Sequence, residues 1–423
     1  MRVLRAITVL FVFAAAALAV AQTAKPAPVV APKAPPALAG QWYAHFSLPT
    51  SSSARVLTSF PFAFLVERSH GVLSAKLVNG REAEPFSRVE WKDGVLRLYL
   101  DHYEGELTLQ LEGDTLAGEY TRASRRGKIH YPVTASRKEP SASRPAPDGE
   151  AMAGDWLFHI AYESENAEDV AAHFTAQGGR LEGTLALVSG DLGNLAGNTN
   201  GKSFSISRFD GIHILLLRAA LQPDGSLKGN LLEPGRVVPF TATRQGAEAA
   251  RMGLEAQAEQ LTGVWEKQEP LHFSGVDLAT GRRMTDADFA GKAVILDIFG
   301  TWCPNCHDEA SLLADLQRRH QAEGLAVVGL AFEYTDDAAR NRRVLGIFGK
   351  KYGLTFPLLL GGATGDVEKQ LPQLVNFSSF PTTVFLDRHG RVHAIHAGFE
   401  GAATGQLEGL QARFEQLTRE ILK

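Results

Sequence analysis

Residues 294–307 read VILDIFGTWCPNCH, and Cys303 and Cys306 within them are the only cysteines among 423 residues. The near-continuous apolar run up to Phe299 has the composition of a strand buried on both faces. Pro304 suits the first turn of a following helix, where its missing N–H has no bond to lose. A Cys-x-x-Cys pair at a strand-to-helix turn can cycle between dithiol and disulfide. Free amides at the helix start lower the thiol pKa of Cys303, the attacking sulfur. Cys306, one turn further in, is more enclosed and suits the resolving role. Trp302 is placed to shield one side. The redox group is then the cysteine pair itself, and no separate cofactor is called for.

Working outward, CPNCH also spells the Cys-x-x-Cys-His signature of c-type haem attachment. The buried strand before it argues for a redox turn instead, and Met284 is the only methionine after Met252 to offer as an axial ligand. His307 is therefore read as an exposed helix residue. Zinc is weaker still, because two cysteines and one histidine lack a convincing fourth ligand. Asp297 sits among apolar neighbours, where an ionised carboxylate is costly. Its raised pKa would suit it to take the proton of Cys306. Glu333 ends LAVVGLAFE, a second parallel-type strand, at the edge where parallel sheets place their chemistry; it is a second proton-handling candidate. In SSFPTTVFLD, Pro381 directly precedes a strand. A cis bond there would turn the backbone at Phe380 outward, so that an extended substrate pairs with it beside Cys303.

At the N-terminus, Arg2 and Arg5 precede an apolar stretch, Ala6–Val20, and the small residues Ala19–Ala21. That stretch falls short of the roughly 20 residues that span a bilayer. Residues 1–21 are read as a cleavable signal peptide, with membrane contact only if they are retained, and the periplasm is the expected location. The net charge of −4 gives no basic footprint for nucleic acid. Residues 22–39 are a Pro/Ala-rich linker, 138–152 a second linker and 245–261 a helical connector.

Between the linkers, 40–137 and 153–244 resemble one another. One opens on Gly40-Gln41-Trp42 and closes on IHYPVTASR; the other opens on Gly154-Asp155-Trp156 and closes on RVVPFTATR. Alternating runs broken by Gly and Asp-Gly make each a mainly antiparallel β domain, a small barrel or sandwich, in tandem duplication. Trp42 and Trp156 are read as core plugs. From residue 262 to 423, strands alternate with helices in the pattern of an α/β fold.

VILDIFGTWCPNC, LAVVGLAFE and SFPTTVFLDRHGRV, in this order, resemble the TlpA/ResA-like branch of the thioredoxin superfamily, the exported thiol–disulfide oxidoreductases. The resemblance begins near residue 270. It implies a thioredoxin-like domain with a central insertion, about 333–379, between the second strand and the cis-proline strand. It also implies Cys303 as nucleophile, Cys306 as resolver, Pro381 as the cis-proline, Asp297 as the buried aspartate and Glu333 as the acidic residue near the thiols. Family members commonly reduce disulfides in exported proteins, including apocytochromes awaiting haem. If this chain is such an enzyme, a membrane electron-donor thiol protein would regenerate its dithiol. The Pro304-Asn305 pair departs from the Gly-Pro of thioredoxin, which leaves the direction of the reaction open. The alternative function is an envelope binding or scaffold protein that uses the β domains, with an auxiliary or oxidising redox domain. Peroxidase chemistry is disfavoured because no Thr-to-Cys peroxide pocket is evident near Cys303.

Overall fold

The computed structural model describes residues 38–51, 56–139, 149–163, 166–266 and 268–423. The expected signal peptide lies outside these residues, as do most of the first linker and the middle of the second. Strands β1 (Gly40–Leu48), β2 (Thr58–Ser69), β3 (Val72–Asn79), β4 (Glu82–Pro85) and β5 (Arg88–Lys92) are followed by β6 (Val95–Leu100), β7 (Gly105–Glu112), β8 (Thr115–Arg122) and β9 (Ile129–Ser136). They form one antiparallel sheet in the order β4-β3-β2-β1-β9-β8-β7-β6-β5. Period-two alternation sends Trp42, Ala44, Phe46 and Leu48 of β1 into its core. Among the described residues no ladder joins β4 to β5, so this sheet is a half-barrel.

The second sheet comprises β10 (Gly154–Glu163), β11 (Asn166–Gln177), β12 (Arg180–Leu187), β13 (Gly190–Asp191), β14 (Leu195–Thr199), β15 (Ser203–Phe209), β16 (Ile214–Leu221), β17 (Leu227–Glu233) and β18 (Arg236–Thr243). Here β11 pairs with both β10 and β12, which closes eight of the strands into a barrel. The duplication is visible in atomic detail. Trp42 Nε1 donates to Leu38 O at 3.0 Å, and Trp156 Nε1 donates to Met152 O at 2.9 Å. Arg137 lies 3.9 Å over the Trp42 ring, and Arg244 lies 4.0 Å over Trp156. Gly40 and Gly154 enter these strands at φ of 117° and 94°, where a side chain would be strained and would meet the same arginine. Both tryptophans are core plugs, as expected.

The half-barrel is completed by its neighbour. Phe209, Ile214 and Leu216 of the closed barrel belong to the half-barrel's own core. Asn79 exchanges two hydrogen bonds with the Phe209 backbone, and Tyr120 Oη donates to Gly211 O at 2.6 Å. Arg208 sits in the seam, donating to both oxygens of Glu82 at 2.7 and 2.9 Å and to Asp210 at 3.2 Å. Arg208→Ala would leave the buried Asp210 carboxylate to His213 and two backbone N–H groups and would remove the partner of Glu82, so a loss of about 1.5–3 kcal/mol is expected in denaturant unfolding. A loss below about 1 kcal/mol would mean the seam does not depend on this charge.

Helix α1 (Ala247–Leu261) leads into β19 (Gly263–Val264), β20 (Ser274–Asp277), β21 (Arg283–Thr285), β22 (Ala293–Phe299), α2 (Pro304–His320), β23 (Leu325–Glu333) and α3 (Ala338–Tyr352). β24 (Leu358–Ala363), α4 (Val367–Gln370), β25 (Leu374–Val375), β26 (Thr382–Leu386), β27 (Val392–Ala397) and α5 (Leu407–Leu422) complete the chain. Seven strands form a sheet in the order β21-β20-β24-β23-β22-β26-β27, with β22, β23 and β24 parallel and β26 antiparallel to β22. Strand β22 is buried along its whole length. Its alternation places Ala293 and Ile295 against α2 and α5, and Val294, Leu296 and Ile298 in the core of the opposite face. The same period turns Asp297 to the α2 side. Segment 333–379 holds α3, β24, α4 and β25.

Candidate redox site

Cys303 caps α2 in an extended conformation (φ −96°, ψ 116°), with Pro304 in the first turn. The Cys306 N–H points at Cys303 Sγ at 3.4 Å, so the two thiols face each other across the helix start. Cys303 is 5% exposed and Cys306 2%. Burial, the Cys303 sulfur and the charge of Asp297 push the Cys306 thiol up, which keeps its proton in place until it is withdrawn. Cys303 Sγ also lies 3.4 Å from Phe380 O, and the Phe380–Pro381 peptide is cis. Trp302 packs edge-on to Phe380 at 5.2 Å and stacks on Tyr334 at 5.1 Å, its indole N–H held by Phe332 O at 2.9 Å. Arg125, from the hairpin between β8 and β9, stands 5.9 Å over Trp302 and 5.8 Å over Tyr334.

Asp297 is buried behind the pair, and burial, then the negative charges of Glu309 and Cys303, raise its pKa well above the usual carboxylate range. Glu309 faces it from α2, three residues beyond Cys306. Burial pushes Glu309 up as well, against the opposing hydrogen bonds of Thr383 and Asp297. Asp297 Oδ1 and Glu309 Oε2 have no donor of their own. Two buried carboxyls can satisfy each other only when one keeps a proton, so the pair holds a shared proton beside the thiols. Glu309 escaped the sequence analysis, although helical spacing puts a residue three after Cys306 on the same face.

Glu333 is fully buried, but its oxygens are already occupied. Oε1 accepts from Thr301 N–H at 2.9 Å, and Oε2 accepts from Arg340 at 3.2 Å. His307 corrects the expectation of an exposed residue. It is buried, with Nε2 at 2.8 Å from Thr301 O and Nδ1 at 2.7 Å from Tyr352 Oη. A carbonyl can only accept, so Nε2 carries the proton and Nδ1 receives that of Tyr352. Burial, then the neighbouring His102 and Lys351, lower its pKa and keep the ring neutral. With both ring nitrogens taken, His307 has none to offer an iron. Among the described residues no group of three or more His, Cys, Asp or Glu is arranged to hold a metal ion.

The structure therefore brings Cys303, Cys306, Asp297, Trp302, Phe380 and Pro381 to one locus and places Glu333 just behind it. A helix-start dithiol on the central strand of a mixed sheet, with a cis-proline loop against the first sulfur, defines a thioredoxin-like thiol–disulfide oxidoreductase. Residues 269–395 match the AhpC/TSA family. Thioredoxin-like protein YneN of Bacillus subtilis (strain 168) is 31% identical over 144 residues, which cover 34% of this chain and 78% of YneN. Thiol-disulfide oxidoreductase ResA of the same organism is 29% identical over 118 residues, covering 28% of this chain and 60% of ResA. Among solved structures, a thiol:disulfide interchange protein of the thioredoxin family from Chlorobium tepidum TLS aligns with 36% of this chain and 95% of its own, at 23% identity and a TM-score of 0.28. Through its C-terminal segment the chain belongs to the thioredoxin-like family that includes YneN.

Proposed function

We propose that the protein is a reductant of disulfides in other exported proteins. Cys303 thiolate attacks one sulfur of a substrate disulfide; that S–S bond breaks, and the second substrate sulfur leaves as a thiol. Cys306 gives up its proton to the Asp297/Glu309 pair and attacks Cys303. The mixed disulfide breaks, the first substrate sulfur leaves with the bonding electron pair as a thiolate that takes a proton from solvent, and the protein is left with a 303–306 disulfide, two electrons in all having passed to the substrate. A membrane thiol donor would restore the dithiol. Trp302, Phe380 and Pro381 form the substrate-contacting rim. Glu333, with both oxygens engaged, is assigned to holding the loop rather than to moving protons. Apocytochromes c are the substrate class, and the periplasm the location, that the TlpA/ResA-like resemblance of the sequence implies.

The observation that carries the reducing direction is the buried carboxyl pair behind the thiols. Negative charge there opposes ionisation of the dithiol at Cys306, and a reduced form less stabilised as a thiolate makes a stronger reductant. Dithiol proteins run from about −270 mV for thioredoxin to about −120 mV for strong oxidants. Equilibration with dithiothreitol is expected to place this pair in the lower half of that span. A potential near the oxidising end would replace the reductase with an oxidase or isomerase.

A further inference from the structure

Two residues before Cys303, Thr301 is gripped at both of its backbone polar groups: its N–H by Glu333 and its C=O by His307. Neither holder stands alone. Both are backed by a single turn of the half-barrel, Asp101–Tyr103 and the following Glu104, which lies about 200 residues away in sequence. His102 and Tyr103 pack edge-on to the His307 ring at 5.1 and 4.8 Å. Glu104 takes Arg340 at 2.6–2.8 Å, and Arg340 in turn donates to Glu333 at 3.2 Å. Glu104 adopts φ 51°, a left-handed conformation that non-glycine residues seldom take, and the turn closes through its N–H to Asp101 O. The side chains of this chain of contacts are largely or wholly removed from water: Glu333 is fully buried, and Arg340 and Glu104 are 13% and 16% exposed. The second barrel also reaches the pair. Gly190 lies so close to Asn305, between the two cysteines, that a Cβ on it would overlap the Asn305 side-chain amide.

We infer that the half-barrel is a built-in regulator of the thiol pair, and that Glu104 is a positioning residue that sets its redox equilibrium through Arg340 and Glu333. The physical basis is charge. Arg340 carries one positive charge and shares it between two carboxylates, so Glu333 is only partly compensated. Without the carboxylate of Glu104, Arg340 is left to Glu333 alone, and the net negative charge behind the redox loop falls. In a site this dry that loss favours the Cys303 thiolate. A stabilised thiolate stabilises the dithiol form and makes the pair more oxidising. The inference needs only dithiol–disulfide exchange at Cys303 and Cys306, whichever direction the cell uses. The wild-type potential alone tests that direction.

The test is the dithiol–disulfide equilibrium of the full-length protein against glutathione. Glu104→Gln, nearly isosteric, is expected to shift the equilibrium constant toward the dithiol by roughly three- to tenfold, the upper figure corresponding to about 30 mV. Arg343→Gln removes the other, exposed partner of Glu104, which does not touch Glu333, and is expected to change the constant less than about twofold. In a Glu333→Gln background, Glu104→Gln should have little further effect, because the connection to the loop is already cut; a merely structural role would not produce that coupling. Should Glu104→Gln not fold, Arg340→Lys is measured instead, since a lysine cannot bridge both carboxylates and the same coupling to Glu333 is expected. An unchanged constant, a shift toward the disulfide in Glu104→Gln, or effects of Glu104 and Glu333 that simply multiply would overturn the inference.

Discussion

Cys306→Ala is expected to accumulate mixed disulfides between Cys303 and its substrates, whereas Cys303→Ala accumulates none and loses turnover by at least about a thousandfold. The asymmetry follows from position. Cys303 is the cap residue, adjoins the Phe380 carbonyl and the Trp302 rim, and is the sulfur a substrate chain would meet first. Cys306 is the more enclosed of the two, and burial raises its pKa, so its part begins only once Cys303 has been engaged. Non-reducing gels of extracts from cells expressing each variant read the outcome directly. Trapping through Cys306 in the Cys303 variant, with none in the reverse case, would exchange the two roles.

Asp297→Asn is expected to slow release of the mixed disulfide by about a hundredfold near neutral pH and to leave its formation nearly unchanged. The wild-type release rate should climb with pH as the carboxyl pair loses its shared proton, and the climb should flatten in the variant. Stability gives a second, independent reading. The pair's folded-state pKa values lie above the ordinary carboxylate values. Between the two, the folded protein binds more protons than the unfolded chain, and wild-type stability therefore falls as pH rises. Asparagine does not titrate, and its amide can donate to Glu309. The variant's advantage should thus be absent at low pH and grow with pH to at least about 1.4 kcal/mol, the free energy of a tenfold change in proton affinity. A release rate unaffected by the substitution at every pH would remove Asp297 from the proton path and leave Glu309 to be tested in the same way.

Several site features were legible in the chain because they are local. The apolar run 293–299 could only be a doubly buried strand. Pro304 after Cys303 marked a helix start, and the strand-to-helix turn fixed which sulfur caps the helix. Asp297 was conspicuous because an ionisable group amid apolar neighbours demands an explanation. Trp42 and Trp156, at equivalent places in two similar segments, announced both the duplication and their own burial. The arginines that stack on them were also in view, as the last letters of TASR and TATR, but nothing in a linear pattern says that the residue just past a strand folds back over a ring on another strand. Glu309 was within reach of helical spacing. Its significance depends on facing Asp297 across the gap between strand and helix.

What the sequence by itself determined was the class of the elements that flank the thiols and the chemistry of the dithiol, since propensity, period and capping act over a few residues. The tertiary structure decided the surroundings. His307 follows the second cysteine on a helix, and its neighbours in the chain give no reason for burial. It is buried because His102 and Tyr103 arrive from a different sheet and because Tyr352 and Thr301 satisfy both its nitrogens. The half-barrel's missing closure is likewise supplied by Phe209, Ile214 and Leu216 of the barrel beside it. Contacts between residues a hundred or more positions apart leave no periodic trace in either segment. They are chosen by the fit of whole surfaces, after each segment has already formed its own secondary structure.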